Sequence, residues 1–92
     1  MVAAVVLIRA VPGDVPALAR RIAGIDGVAE VYSVSGDWDL IAIVRVAEYQ
    51  RIAEVVTGGI AGVPGVERTQ TLTAFRTYSK ADLEQAWDLG VE

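Results

Sequence analysis

The feature that most limits the fold of this chain is an internal repeat. When residues 1–38 are aligned with residues 39–76, seven positions are identical, five of them in the paired segments IAGIDGV at 22–28 and IAGVPGV at 60–66. Each half has an apolar β-branched run, apolar residues at helical spacing, glycines, and a second strand pattern. A chain of 92 residues is long enough for one domain and too short for two. We therefore predict one domain, residues 1–92, built from two strand-helix-strand units.

The element order follows from periodicity and turn residues. The predicted strands are Val2 to Ala10, Val28 to Val34, Trp38 to Val46 and Val66 to Thr77. Asp14 is a predicted helix N-cap, and Pro16 fits the first turn. Two helical stripes follow the same spacing, namely Val15, Leu18, Ala19 and Ile22, then Tyr49, Ile52, Ala53, Val56 and Ile60. The order predicts an α+β domain of ferredoxin-like βαββαβ topology, a four-stranded antiparallel sheet with both helices on one face.

A further helix is predicted at the C-terminus. Ser79 and Asp82 have the spacing of a capping box. Leu83, Ala86 and Trp87 then share one helical face, so we expect Trp87 to dock on the domain.

Composition argues against several classes of function. The net charge of −4 opposes direct binding to nucleic acid, which depends on Lys and Arg contacts with phosphate. Without Cys or His the chain lacks thiolate nucleophiles and the commonest metal ligands, so we expect no metal, no cofactor and no enzyme activity. The apolar run Val2 to Val11 is shorter than the ~20 residues that span a bilayer and contains Arg9, so we expect a cytoplasmic protein without a membrane partner.

The first and third strands are apolar on both faces, with Val5 and Leu7 alternating with Val6 and Ile8 in the first. Both faces should therefore be buried. Two helices cover only one face of a four-stranded sheet, and an exposed apolar sheet is an association site. We expect a two-fold homodimer, a dimeric α/β barrel in which two sheets pack about 10 Å apart.

The turn Ser35, Gly36, Asp37, Trp38 and Asp39 is the densest polar and aromatic group in the chain. Ser, Gly and Asp also form ordinary hairpin turns, so the turn alone is weak evidence of function. Here, however, backbone N–H groups near Gly36 can receive a carboxylate, Asp37 or Asp39 an ammonium, and Trp38 offers an apolar wall. That combination suits an amino acid.

The last strand places Thr69, Thr71 and Thr73 on one sheet face at a period of two residues. Threonine also favours strands for its branched side chain alone. On a face otherwise predicted to be apolar, the hydroxyls are candidates for hydrogen bonds to a ligand or a partner chain.

The segment VSGDWDLI at 34–41, followed by VPGVERTQT at 63–71, resembles the effector-binding (RAM) domain of the leucine-responsive Lrp/AsnC transcriptional regulators. The family pattern is a Ser/Thr-Gly-x-Tyr-Asp-aliphatic turn, then a Pro-Gly-Val segment that leads into a Thr-x-Thr strand. The resemblance extends from Val2 to about Tyr78. Trp38 stands where Tyr is commoner, which keeps an aromatic wall without the hydroxyl.

The resemblance implies face-to-face dimers that often assemble further into rings, with amino acids bound between dimers. By position it implicates Gly36, Asp39, Thr69 and Thr71, with Ser35, Asp37, Trp38 and Thr73 as neighbours. Full-length members carry an N-terminal helix-turn-helix domain, whereas here the first strand follows Met1. The chain therefore resembles a stand-alone effector domain that senses or buffers an amino acid, or joins the ring of a full-length regulator.

Two alternatives remain open at this point. One is an assembly partner that completes mixed oligomers and binds no ligand. The other is a cofactor-free oxygenase or isomerase, since dimeric ferredoxin-like barrels also host enzymes. The carboxylates available for acid/base chemistry include Glu30, Glu54 and Glu67, which are scattered and more typical of a solvated surface.

Overall fold

The computed structural model describes residues 1–80, with the predicted element order. The strands are β1 (Val2–Ala10), β2 (Val28–Ser33), β3 (Leu40–Val46) and β4 (Val66–Thr73), and the α-helices are α1 (Val15–Ala23) and α2 (Gln50–Ala53). Helix α2 continues as a π-helical turn at Glu54–Gly59 and a 3-10 turn at Ile60–Gly62. The predicted C-terminal helix and the docking of Trp87 lie outside the described residues.

The four strands form one antiparallel sheet in the order β2-β3-β1-β4, which confirms the ferredoxin-like prediction. Strand β1 is central, with Ile8 opposite Leu40 of β3 on one side and Thr69 of β4 on the other. The β1/β4 register shifts between Arg9 and Ala10. The start of β3 and the start of β4 thus both lie beside the C-terminal end of β1.

Both helical segments pack on the same face of the sheet. Alternate residues of β1 and β3 have no exposed surface on that face, among them Val6, Ile8 and Leu40. They pack against Leu18 and Ile22 of α1 and, from the second helical segment, against the buried residues Ile52, Val55 and Ile60. Helix α1 begins as predicted, because the Asp14 carboxylate accepts a hydrogen bond from the Ala17 N–H at 3.1 Å.

The second helix is less regular than its sequence pattern predicts. Val55 is buried where the sequence pattern predicted Val56. Val56 is half-buried, and Tyr49, also predicted to be on the buried face, is exposed. A π-helical turn closes hydrogen bonds five residues apart, as between the Ile60 N–H and the Val55 carbonyl, and this rotates the following side chains. Gly58 and Gly59 weaken regular helix at this point and make the wider turn accessible.

Three strand ends also differ from the prediction. Strand β2 ends at Ser33 and β3 begins at Leu40, so the connecting loop is 34–39 rather than three residues. Strand β4 ends at Thr73 and not at Thr77, close to the start of its partner β1, where Thr73 lies opposite Ala4. The last bond between them joins the Ala74 N–H to the Ala3 carbonyl at 3.0 Å.

The repeat is visible in the two glycines that precede β2 and β4. Gly27 and Gly65 both have a positive φ, of 99° and 104°, a region in which side chains are strained. At Gly27 a Cβ atom would lie 2.6 Å from Cγ2 of Val55 and 3.3 Å from Cγ1 of Val46. Gly27 is therefore required both by backbone conformation and by the packing of the second helical segment.

We predict that Gly27→Ala lowers the free energy of unfolding by about 2–4 kcal/mol, the combined cost of a left-handed alanine and an overpacked contact. Gly58→Ala is the matched control, since no atom lies within 4 Å of its added Cβ and its φ is not positive. Urea unfolding at one protein concentration measures both variants. Equal effects at the two positions would contradict the packing argument.

Candidate functional site

The turn between β2 and β3 is closed by a hydrogen bond of 3.1 Å from the Val34 N–H to the Asp39 carbonyl. Gly36 has a φ of 107°, which favours glycine at the apex. Ser35, Gly36 and Asp37 are exposed, whereas Trp38 and Asp39 are half-buried. The turn therefore presents polar groups to solvent and turns its aromatic residue toward the domain.

Asp39 fastens this turn to the central strand. Its Oδ2 accepts a hydrogen bond of 2.7 Å from the Ala10 N–H, and its own N–H donates to the Ile8 carbonyl at 2.9 Å. The β1/β3 pairing ends at Ile8 and Leu40, so no residue of β3 lies opposite Ala10, and the Asp39 carboxylate supplies the acceptor for its N–H. One oxygen of Asp39 is thus already used within the domain.

The Asp37 carboxylate is in a different position. It is exposed, and within residues 1–80 it has no hydrogen-bond or ion-pair partner. Of the two acids that the sequence offers for an ammonium group, Asp37 is therefore the more available.

Trp38 lies against two arginines that the sequence analysis did not single out. The guanidinium carbon of Arg9 is 5.6 Å from the centroid of the Trp38 ring, and that of Arg68 is 5.3 Å away. Arg9 also donates from Nη2 to the backbone carbonyl of Asp37 at 2.6 Å. The predicted apolar wall is therefore a cationic and aromatic cluster of Arg9, Arg68 and Trp38. The only indication of this cluster in the sequence is the charge of Arg9 within the apolar run of β1.

The three threonines of β4 do not gather at the turn. Thr69, Thr71 and Thr73 lie opposite Ile8, Val6 and Ala4, on the helix side of the sheet. Thr69 is one strand away from Asp39, because both border the end of β1. Thr71 and Thr73 are about 7 Å and 13 Å further along the strand. Thr71 instead borders a cavity of about 240 Å³ between β4 and the second helical segment, with Tyr49, Ile52 and Val56.

The sheet face opposite the helices is apolar at its centre. Val5, Leu7, Ile41 and Ile43 are half-buried there, and Leu72 of β4 is 49% exposed. Tyr32 borders this face, and its interaction with the neighbouring Glu30 raises the pKa of the Tyr32 hydroxyl. We call this surface the open face. The prediction that β1 and β3 are apolar on both sides is confirmed, and only one side is covered within residues 1–80.

The part of the chain that the structure describes contains no helix long and apolar enough to cross a membrane. Within the same residues no three acidic side chains come together in a way that holds a metal ion.

These features define a ferredoxin-like α+β domain with one open sheet face and a polar turn at its edge. The sequence matches the Lrp/AsnC ligand binding domain over residues 3–83, so the chain belongs to that family. The resemblance of the turn and the last strand to this family is thereby confirmed.

Curated relatives are transcriptional regulators. An uncharacterised HTH-type regulator of Pyrococcus furiosus is 36% identical over 63 residues, which are 68% of this chain and 42% of the regulator. The HTH-type regulator LysM of Saccharolobus solfataricus is 32% identical over 76 residues, 82% of this chain and 53% of LysM. The chain spans about half the length of the curated relatives it matches.

Solved structures share the fold. A Thermus thermophilus protein, TTHA0845, is 50% identical with a TM-score of 0.81, covering 87% of this chain and 100% of its own. Escherichia coli AsnC is 19% identical with a TM-score of 0.74, covering 83% of this chain and 52% of its own. A Neisseria meningitidis regulator solved as a complex with L-Met is 12% identical with a TM-score of 0.75, covering 85% of this chain and 52% of its own. For the last two the likeness concerns the fold alone.

The contact of Asp39 with Ala10 predicts separate effects for two substitutions. Asp39→Ala leaves the partly buried Ala10 N–H without its acceptor and should lower the free energy of unfolding by about 1–3 kcal/mol. Asp39→Asn keeps an acceptor oxygen and should lower it by much less. Denaturant unfolding of both variants tests this, and equal destabilisation would show that the charge, not the hydrogen bond, fastens the turn.

Proposed function

We propose that this chain is a regulatory domain that binds a small effector, an amino acid, at the turn Ser35 to Asp39. The observation that carries the proposal is the exposed Asp37 carboxylate, which has no partner within residues 1–80 and lies beside the cationic and aromatic cluster. A negative charge in the turn and positive charges on the adjacent strands match the ammonium and carboxylate of an amino acid. Membership in a ligand-binding family supports the same conclusion.

The structure supports different roles for the predicted site residues. Asp37 is the candidate partner of the ammonium group, while Asp39 holds the turn in place. Ser35, Gly36 and Trp38 belong to the turn, and Thr69 lies on the adjacent strand near it. Thr71 and Thr73 lie further along β4, so at the turn of their own chain they would not meet the effector. They remain candidates only for a site completed by a second copy.

The open face supports assembly. Several half-buried aliphatic side chains on one side of a sheet are unfavourable in water, and packing two such faces about 10 Å apart removes them from solvent. We therefore include a homodimer in the proposal, with dimers associating further around the turn. In that arrangement effector binding shifts the distribution of oligomers.

A role in transcription rests on the relatives, which are HTH-type regulators. A domain of the same family can enter mixed assemblies with a full-length regulator by pairing open faces. It then alters that regulator without touching DNA, in keeping with the net charge of −4. The Neisseria regulator was solved with L-Met, but at 12% identity this does not select an amino acid for the present chain.

The second candidate function is an assembly partner that binds no effector, and the open face alone favours it. An enzyme is disfavoured by family membership, since the family is a regulatory ligand-binding domain. The carboxylates considered for catalysis also have surface surroundings. Glu30 lies 3.9 Å from Arg45, Glu54 lies 2.9 Å from Arg51, and Glu67 is exposed.

Thermal unfolding with each of the twenty L-amino acids tests effector binding. A ligand at 100 times its Kd adds about 2.7 kcal/mol, so a true effector raises Tm by several degrees. Asp37→Asn should reduce this shift without changing the Tm of the free domain, because the carboxylate has no partner to lose. Glu48→Gln removes the same charge from another exposed site and should respond like the wild type. No shift with any amino acid would favour the assembly partner.

Sedimentation velocity tests the open face. The wild type is expected to be a dimer or larger at micromolar concentration, and Leu72→Glu should shift it to monomers by placing a charge in the interface. Leu72 is 49% exposed in the single chain, so the variant should still fold. Val11→Glu changes a residue of similar exposure, 43%, in a loop and should leave the mass unchanged. A monomeric wild type would remove assembly from the proposal.

A further inference from the structure

Arg9 and Arg68 face each other across neighbouring strands. They are direct partners in the β1/β4 register, so their side chains leave the same face of the sheet, at one end of the open face. Both guanidinium groups also approach the Trp38 ring, at 5.6 Å and 5.3 Å from its centroid. Side chains from β1, from β4 and from the turn thus meet at one point. Like charges directly opposite each other repel, and the attraction of each cation to the ring offsets part of that repulsion.

No acidic side chain within residues 1–80 neutralises this pair. The ion pairs in that part of the chain use Arg45 and Arg51, although acidic residues outnumber basic ones by 12 to 8 in the sequence. The Arg9 Nε is buried, and it finds no acceptor among the described residues. A buried donor without an acceptor is unfavourable and rare in folded proteins. The cluster therefore has both an unbalanced charge and an unsatisfied donor.

We propose that the Arg9 and Arg68 guanidinium groups, held against Trp38, form a binding site for a carboxylate. Guanidinium is planar and presents paired N–H donors that match the two oxygens of a carboxylate. One carboxylate shared by the two arginines removes their repulsion. The inference deepens the proposed function, on which it rests. It assigns the effector carboxylate to two side chains, where the sequence had suggested backbone N–H groups near Gly36.

The surroundings of the cluster select the kind of anion. Asp37 contributes its carbonyl to Arg9 at 2.6 Å, and its own carboxylate is exposed in the same turn. A second negative charge on the ligand would be repelled by Asp37, whereas an ammonium would be attracted. The site therefore suits a zwitterion, an amino acid whose carboxylate meets the arginines and whose ammonium meets Asp37. An acidic side chain from a second copy of this chain offers the same carboxylate chemistry.

Binding assays with Arg68 variants test the site. Arg68 is exposed, and Arg68→Gln removes a repulsive partner of Arg9, so the free variant should fold with wild-type stability or better. The probes are the twenty L-amino acids and their α-carboxamides, which keep the ammonium and the side chain but lose the carboxylate. We expect the carboxamides to bind the wild type at least ~10-fold more weakly than the matching amino acids, the usual loss for a charge-assisted hydrogen bond.

Substitutions of Arg68 should weaken amino-acid binding according to how much of its charge and of its paired donors they remove. Arg68→Gln should weaken amino-acid binding by ~10-fold or more, and Arg68→Lys by less, because it keeps the charge without the paired donors. Arg76→Gln makes the same charge change at an exposed arginine outside the cluster and should bind as the wild type does. If amino acids bind Arg68→Gln as tightly as the wild type, or carboxamides bind as tightly as amino acids, the carboxylate site is overturned and the proposed function stands.

Sedimentation velocity without amino acids distinguishes the two sources of the carboxylate, a free amino acid and an acidic side chain of a second copy. If no amino acid binds the wild type, the proposed effector function fails. The site then requires an acidic side chain of a second copy, and Arg68→Gln must weaken assembly relative to Arg76→Gln. Unchanged assembly in that case overturns the carboxylate site as well.

Discussion

The sheet has two apolar faces, and both helical segments pack on the same one, so the other face is left uncovered within residues 1–80. Strand β1 lies between β3 and β4 and is apolar on both sides. The two helical segments bury the centre of one side, as the zero exposure of Val6 and Ile8 shows, while Val5 and Leu7 on the other side stay half-buried. In a chain of this size the core is small, and apolar area left in water is a substantial part of what folding gains. Covering that area is the physical reason to expect assembly.

The same central strand also organises the polar turn. At its C-terminal end the Ala10 N–H binds the Asp39 carboxylate at 2.7 Å, and the Arg9 side chain binds the Asp37 carbonyl at 2.6 Å. Together with the bond of 2.9 Å from the Asp39 N–H to the Ile8 carbonyl, these contacts fix the turn to β1. A ligand that binds Arg9 contacts the strand that also places Val5 and Leu7 on the open face. This shared strand gives a structural route by which the proposed effector binding and the proposed assembly influence each other.

Local patterns in the sequence were sufficient for the fold but not for the details of the site. Strand periodicity and turn residues are local signals, so the strands, the crossovers and the turn at 35–39 were predictable. Val55, which lies in the π-helical turn, packs closely against Gly27, and Gly27 is distant from it in sequence. The pairing of Arg9 with Arg68 arises from the β1/β4 register and its bulge, which join the two halves of the repeat. Helical spacing and strand propensity contain no information about such contacts.

The arginines beside the turn favour binding of a carboxylate, whereas the net charge of −4 opposes binding of a polyanion. Which effect dominates depends on how far the ligand extends from the turn. Charges separated by more than about 8 Å are largely screened at physiological ionic strength. A small zwitterion at the turn therefore responds to Arg9, Arg68 and Asp37 and hardly to the rest of the surface. A long polyanion extends across many screening lengths and meets the excess of acidic residues, with its net charge of −4. The proposed binding of an amino-acid carboxylate is thus compatible with a net charge that opposes nucleic acid.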